Sequence, residues 1–302
     1  MIKLTYANKN TKIVDEAYIL NNNLNRWRGW SCSLGQYYLE VDTSGNVKWG
    51  NCSQSIPIGN ILDDTFRIKP LTDLVLCYQN ECTCFADISI YKHSNNIEDD
   101  IRKVEPLSKN FDLNIYFIID TKCNFDCYYC SPKLHSKSLT KPMNKIIKIK
   151  NKLFDLIKDY KVLLNFSGGE PTLFNGLSTW VEEFKSLNEG NEALITTNGS
   201  RSLTFLNKLA NNSNLNFSIH LHQKRLNILA EKINKLHDLS KNKVNVQIIY
   251  PPNNQRQLKE FLSYLNYKSI NTQIQKVINL DKKSVLNYSD SETRLINTFN
   301  SF

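Results

Sequence analysis

From residue 113 onward, short apolar runs alternate with segments whose apolar residues recur at helical spacing. LNIYFIID (113–120), VLLNFS (162–167), EALITT (192–197), NFSIHLH (216–222), VNVQIIY (244–250) and TQIQKVIN (272–279) read as strands. Between them, MNKIIKIKNKLFDLIKDY (143–160), a stretch around 177–187, LTFLNKLANN, LNILAEKINKLHDL and QLKEFLSYLN read as helices. Strand alternating with helix predicts an α/β fold, with a parallel sheet built from βαβ crossovers. The strand faces refine this picture. Ser218, His220 and His222 share a face opposite Phe217, Ile219 and Leu221. Asn114, Tyr116 and Asp120 share one face of the first strand, Asn245 and Gln247 one of the fifth, and Gln273, Gln275 and Asn279 one of the sixth. A sheet covered by helices on both sides needs strands that are apolar on both faces. A polar face predicts instead a partial (β/α)6 barrel, with helices outside and a wet interior, short of the eight units of a complete barrel.

The first hundred residues follow a different pattern. YYLEV alternates like a strand, DTSG is a tight turn, and NVKWGN returns as the second strand of a hairpin. The polar run HSNNIEDDIRK (93–103) reads as a linker, which divides the chain into a small cysteine-rich domain at 1–100 and an α/β domain at 101–302. Charge divides with it. The net charge is +9, but residues 1–100 carry 9 Lys+Arg against 12 Asp+Glu, and the remainder 29 against 17. A basic half fits a nucleotide, nucleic acid or acidic partner, and fits equally a face of solvated lysines. Lys133, Lys137, Lys141, Lys145, Lys148, Lys150 and Lys152 read as such a helix face. No RNA-binding module is recognisable, no apolar run approaches the ~18 residues of a membrane span, and MIKLTYANKN has no secretory pattern. The expected setting is cytoplasmic and reducing, away from membranes, where eight cysteines point to metal or redox chemistry rather than disulfides.

The sharpest chemical signal is TKCNFDCYYC, directly after the first strand. Cys123, Cys127 and Cys130 are spaced C-x3-C-x2-C, so three thiolates on one loop can hold three corners of an iron–sulfur cube and leave one iron open. A zinc site would need a fourth ligand, for which His135 is nearest. The second strand runs into SGGEPTLF, placing Gly168, Gly169 and Glu170 at its C-terminal end, and the third ends in TTNG, with Asn198. Paired glycines allow close backbone approach to a ligand, and a carboxylate accepts bonds from an ammonium group. Parallel sheets bind ligands at these strand ends.

With these motifs in this order, residues 110–280 resemble the radical S-adenosylmethionine (SAM) enzymes; Tyr129, aromatic before the last cysteine, fits the same pattern. The resemblance implies a [4Fe–4S] cluster on Cys123, Cys127 and Cys130, with the amino and carboxylate groups of SAM on the open iron. It implies that Gly168, Gly169 and Glu170 contact the SAM ammonium, and that Asn198, Ser218 and His220 line the cofactor site. It also implies reductive cleavage of SAM to a 5′-deoxyadenosyl radical that abstracts hydrogen from a substrate, with an electron donor such as flavodoxin or ferredoxin as partner.

Upstream, Cys32, Cys52, Cys77, Cys82 and Cys84 surround the hairpin, and the Asp-x-x-Gly turn, the second Cys and the GNI segment resemble the auxiliary-cluster modules called SPASM or twitch domains. That resemblance implies a second [4Fe–4S] cluster on four of the five cysteines, with Cys82 or Cys84 spare; a zinc tetrathiolate is the alternative. Two features depart from those modules. This one precedes the barrel, and six residues separate Gly45 from Cys52. The resemblance favours a polar substrate of peptide or amino-acid type, with a nucleotide, nucleic acid or sugar as the alternative. A different class, a catalytically silent iron–sulfur regulatory protein, shares the same motifs.

Overall fold

The computed structural model describes residues 1–52, 54–107, 110–131, 135–240, 243–279 and 284–300. The N-terminal part begins with β1 (Ile2–Tyr6), β2 (Thr11–Val14), α1 (Glu16–Asn21) and β3 (Ser31–Cys32). It continues through β4 (Tyr38–Val41), β5 (Asn46–Trp49), β6 (Ile56–Asn60), β7 (Val75–Leu76), α2 (Phe85–Ile88), β8 (Lys92–His93) and β9 (Ile101–Pro106). Then follow β10 (Leu113–Asp120), α3 (Met143–Ile157), β11 (Val162–Gly168), α4 (Leu177–Leu187), β12 (Glu192–Thr197), α5 (Leu203–Ala210) and β13 (Asn214–His220). The chain closes with α6 (Leu226–Ser240), β14 (Val244–Tyr250), α7 (Gln255–Tyr264), β15 (Asn271–Lys276), β16 (Ile278–Asn279), β17 (Ser284–Val285) and α8 (Asp290–Phe299).

The fold is mixed α/β. Strands β10 to β15 lie side by side in chain order, every pair parallel, with the helices α3 to α7 as crossovers. One face of each strand is apolar because it meets those helices. Leu215, Phe217 and Ile219 of β13 are fully buried, as are Val244, Val246 and Ile248 of β14, against Leu229, Ile233, Leu258 and Phe261. The other face carries Asn114, Asn165, Thr196, Asn216, Gln247 and Gln273, which line one cavity. Because all six strands, both edges included, reach that cavity, the sheet curls around it.

The expected strands and helices from 113 to 264 match the observed ones closely. The sixth strand is shorter than TQIQKVIN. β15 ends at Lys276, Val277 N–H donates to the Tyr288 hydroxyl, and Ile278–Asn279 pairs with β17; the Asn279 side chain lies outside the described residues.

The hairpin is formed by β4 and β5, with Leu39 opposite Trp49 and Val41 opposite Val47. Asp42 closes its turn by accepting from the Ser44 and Asn46 amides. The hairpin does not stand apart. β4 pairs in parallel with β10, so β4, β5 and β6 extend the parallel strands into a nine-stranded sheet. The remaining N-terminal strands form a second sheet of six, order β2-β1-β9-β8-β3-β7, entirely antiparallel, over a core that includes Trp27, Trp30, Ile19 and Val104. The run at 93–103 is therefore no linker. It is the turn between β8 and β9, which pair at Lys92↔Val104 and His93↔Lys103. Polar composition marks a solvated connection, whether it joins two domains or two strands of one sheet.

The N-terminal part also reaches the opposite edge of the parallel strands. Asn21, at the end of α1, donates to the Ile274 carbonyl of β15 and accepts from Lys276. One segment of chain thus docks on β10 through β4 and on β15 through α1.

Candidate cluster and cofactor site

The loop carrying Cys123, Cys127 and Cys130 is fixed at its base by backbone and carboxylate bonds. Asp120, buried at the end of β10, accepts from Lys122 N–H (2.8 Å) and from both the backbone N–H (2.9 Å) and hydroxyl (2.7 Å) of Thr140, so one side chain ties both ends of the loop. Cys123 N–H donates to Ser136 O, and Ser136 N–H to Thr121 O. Within the loop, Phe125 N–H points at Cys123 Sγ (3.4 Å) and Cys130 N–H donates to Cys127 O. Burial pushes the Cys127 thiol up to about 12, and the nearby Cys130 and Cys123 add to the rise. A buried thiol gives up its proton more readily beside a cationic group. His135, the expected alternative zinc ligand, instead has Nδ1 3.1 Å from the Asp126 carboxylate.

The glycines at the end of β11 explain themselves through this loop. Gly169 N–H donates to Asp120 O and Glu170 N–H to Lys122 O, so the chain runs flush against the start of the cysteine loop. A Cβ at Gly169 would overlap the carbonyl oxygens of Thr121 and Lys122, and one at Gly168 that of Asp120, where φ is +137°. The close approach the motif allows is made to the protein's own backbone.

Glu170 is 3% exposed. Its Oε1 accepts from Thr172 N–H (3.0 Å), from the Thr172 hydroxyl and from the Thr197 hydroxyl (2.8 Å), and its Oε2 accepts from Asn198 N–H (2.6 Å). Burial raises its pKa, and the bonds from Asn198, Thr172 and Thr197 oppose the rise. The carboxylate is thus a clamp between the GGEP and TTNG segments. Asn198 extends the clamp, donating to Asn124 Oδ1 of the cysteine loop (2.9 Å) and accepting from Ser200 N–H. The three motifs, distant in sequence, become one hydrogen-bonded unit.

At the mouth of the cavity, the Tyr129 hydroxyl meets His220 Nδ1 at 2.6 Å, and His220 Nε2 lies 3.3 Å from the Ser218 hydroxyl. The Tyr129 and His220 rings stack, with centroids 5.8 Å apart. Burial, with the neighbouring His222 adding, lowers the His220 pKa to about 4, so it is a neutral bridge between two hydroxyls at physiological pH. The His222 ring packs against Tyr128 and against both rings of the bridge, Tyr129 and His220. Tyr129, Cys130, Ser218 and His220 line the cavity together with the amide-bearing walls of the strands. Asn165 donates to Asn114 and Asn271 to Asn245, so these amides are already networked. The lysines lie elsewhere. On α3, Lys148 is exposed, Lys150 holds the Glu183 carboxylate at 2.6 Å and Lys152 pairs with Asp64; Lys133 lies outside the described residues.

A second cavity sits where the two sheets meet. Cys32 of β3, Cys52 beyond β5, Cys77 beyond β7 and Cys82 line it, with Asp87 and Lys92. Cys84 does not; it lines the larger cavity opposite the curled sheet. Thr83 separates the two thiols; an extended chain would put both on one face, but here the backbone turns into a helix at Phe85 and they line different cavities. Among the described residues, no three His, Cys, Asp or Glu side chains lie close enough to hold one metal ion.

Comparison with known proteins fits this geometry. Residues 117–265 match the Radical SAM superfamily. A curated relative, GTP 3′,8-cyclase of Haemophilus influenzae (strain 86-028NP), is 24% identical over 189 residues, 56% of this chain and 54% of its own. The chain therefore spans about half the length of that relative. Among solved structures, it is similar to native anSMEcpe with bound AdoMet and Kp18Cys peptide (18% identity, 55% of this chain and 51% of that one, TM-score 0.42). It is also similar to BtrN in complex with AdoMet and 2-DOIA (16% identity, 62% and 85%, TM-score 0.35). The family match and the curated relative point the same way, to similarity with the Radical SAM superfamily. No helix among the described residues is long and apolar enough to cross a membrane.

Sequence reasoning missed several residues that build the site. Thr172 and Thr197 sit inside the motifs, and their hydroxyls signalled nothing until the two strand ends met at Glu170. Asn124 lies between the cysteines, where an amide reads as loop composition. Lys92 lies in YKH after the N-terminal cysteines and carried no signal at all.

Proposed function

We propose that this chain binds a [4Fe–4S] cluster on Cys123, Cys127 and Cys130 together with SAM, and abstracts hydrogen from a polar substrate held in the curled sheet, a partial (β/α)6 barrel. Bound there, cluster and SAM supply reductive cleavage and a 5′-deoxyadenosyl radical. The chain's own residues do the rest. Asp120 and the Glu170 clamp hold the cysteine loop to the strand ends. Gly168, Gly169, Glu170 and Asn198 border the cofactor position, and the Ser218–His220–Tyr129 bridge forms its wall without changing charge near neutrality. One observation carries the reading: a three-thiol loop bonded to the ends of β11 and β12, with Cys130 opening onto a cavity walled by amides.

Neutral amides and hydroxyls pair with peptide or amino-acid groups, which favours that substrate type. The curated GTP 3′,8-cyclase supports a second reading, a nucleotide. Against it, the only lysines lining the cavity among the described residues are Lys48, paired with Glu40, and Lys276, bonded to Asn21. The electron donor is of the flavodoxin or ferredoxin kind. Cys32, Cys52, Cys77 and Cys82 hold an auxiliary [4Fe–4S] cluster, with Cys84 the spare thiol. Anaerobic reconstitution followed by 5′-deoxyadenosine assay with SAM and dithionite tests the reading. Turnover of SAM dependent on the three loop cysteines is the expected result, and iron-replete protein that cleaves no SAM overturns it in favour of a silent iron–sulfur protein. Comparing peptide, GTP and aminosugar additions then separates the substrate classes by which one stimulates cleavage.

A further inference from the structure

We propose that Lys92 is the built-in counter-ion of the auxiliary cluster and that its fixed charge favours the cluster's reduced state. The inference rests on the reading above that Cys32, Cys52, Cys77 and Cys82 hold that cluster.

Lys92 is 1% exposed, an unusual place for an ammonium group. Its Nζ donates to the carbonyl oxygens of Asp87, Ile88 (3.2 Å) and Ile90 (3.2 Å), and lies 4.4 Å from the centre of the Trp27 ring. These contacts satisfy its three protons but supply no negative charge. Among the described residues, it makes no ion pair. A buried ammonium is favoured by anionic groups placed around it.

The thiols occupy that position. Lys92 is the direct partner of Cys32 across the β3–β8 ladder, and it lines the same cavity as all four cysteines. Burial pushes the Cys32 and Cys82 thiols up, and the Lys92 charge is the largest influence opposing that rise. Asp87, the other charged group on this cavity, accepts from Asn51 N–H through Oδ2 and also feels the Lys92 charge, so Lys92 serves the thiols and this carboxylate together. Four thiolates around an iron–sulfur cube leave a net negative charge, which grows by one when the cube takes up an electron. A cation clamped by three carbonyls cannot swing away, so it stabilises the reduced form more than the oxidised form.

The test uses the full chain with Cys123, Cys127 and Cys130 changed to Ala, so that only the auxiliary cluster remains. It is reconstituted anaerobically and titrated with dithionite under EPR. In that background, Lys92→Met and Lys92→Gln should lower the midpoint potential so that the reduced-to-oxidised ratio falls about tenfold at a given potential, 59 mV for a one-electron couple. Lys92→Arg should leave it near the starting value. An unchanged midpoint in the neutral variants, with iron retained, overturns the proposal. If the neutral variants lose their iron while Lys92→Arg keeps it, the charge is needed to hold the cluster and the proposal stands. Equal loss in all three variants makes Lys92 a packing residue and overturns it. A background protein that holds no iron at all refutes the auxiliary cluster itself, a failure distinct from these.

Discussion

The loop cysteines and the N-terminal cysteines reach their positions by opposite routes. Cys123, Cys127 and Cys130 fall within eight residues, on a loop whose base is fixed by Asp120 and by the ends of β11 and β12. Cys32, Cys52, Cys77 and Cys82 span fifty-one residues and arrive from two different sheets, with Cys52 following a strand of the nine-stranded sheet and Cys32 lying in the antiparallel one. A local site of the first kind needs only β10, β11 and β12, which follow one another along the chain. A site of the second kind exists only when the two sheets are docked. Local spacing therefore announces the first in sequence, whereas the second is specified by tertiary structure.

The comparison can be broken most directly through the loop. Changing Cys123, Cys127 and Cys130 together to Ala should remove about four irons per chain and all 5′-deoxyadenosine formation, while about four irons remain at the N-terminal site. Iron analysis that finds none remaining would make the two sites one unit. The next largest effect separates Cys82 from Cys84. Cys82→Ala should lose the N-terminal iron, whereas Cys84→Ala should keep the full complement, since only Cys82 faces the four-cysteine cavity. The reverse result would mean that the Thr83 region turns the other way when loaded.

Glu170 sharpens the contrast on the protein side. Its carboxylate takes bonds from two strand ends, so Glu170→Ala should cost about 3 kcal/mol in urea unfolding without SAM present, by loss of charged hydrogen bonds in a buried setting. A variant of unchanged stability that only weakens SAM binding would return this residue to a purely ligand-facing role. The smallest effect belongs to His220. Its folded pKa, about 4, lies below the usual histidine value of 6.5, so the unfolded chain binds the extra proton first. Stability should be unaffected above pH 6.5 and fall by on the order of 2 kcal/mol as pH drops from 6.5 towards 4. His220→Gln should flatten that part of the profile; an unaltered slope would place the titration elsewhere.

Periodicity made the parallel strands legible, because each alternates between a face that meets helices and a face that meets the cavity, as Ser218 and His220 against Phe217 and Ile219 show. The N-terminal architecture was not legible for the opposite reason. Its strands are two to six residues long, too short to display a period, and β4 takes its place beside β10 through pairing that no local pattern encodes. The paired glycines were read as room for a ligand, yet they fit against Asp120, Thr121 and Lys122; sequence gives the need for a missing Cβ without saying what fills the space. The last helix, α8, went unread, although Ser289 at its N-cap and Glu292 in its first turn form a reciprocal cap.

The docking of one early segment on both edges of the parallel strands has a consequence for synthesis. The ribosome releases the N-terminal segment first, but β4 has no strand to join until β10 emerges, and α1 has no edge to rest on until β15 follows, some 250 residues later by the Asn21–Ile274 contact. The early segment must wait until β15 has been made before both of its contacts can form. During that wait the strands of the curled sheet stand without Asp15, Glu16 and Cys84, which line the larger cavity with them in the finished structure, so the order in which the chain is made leaves that cavity more open early than late.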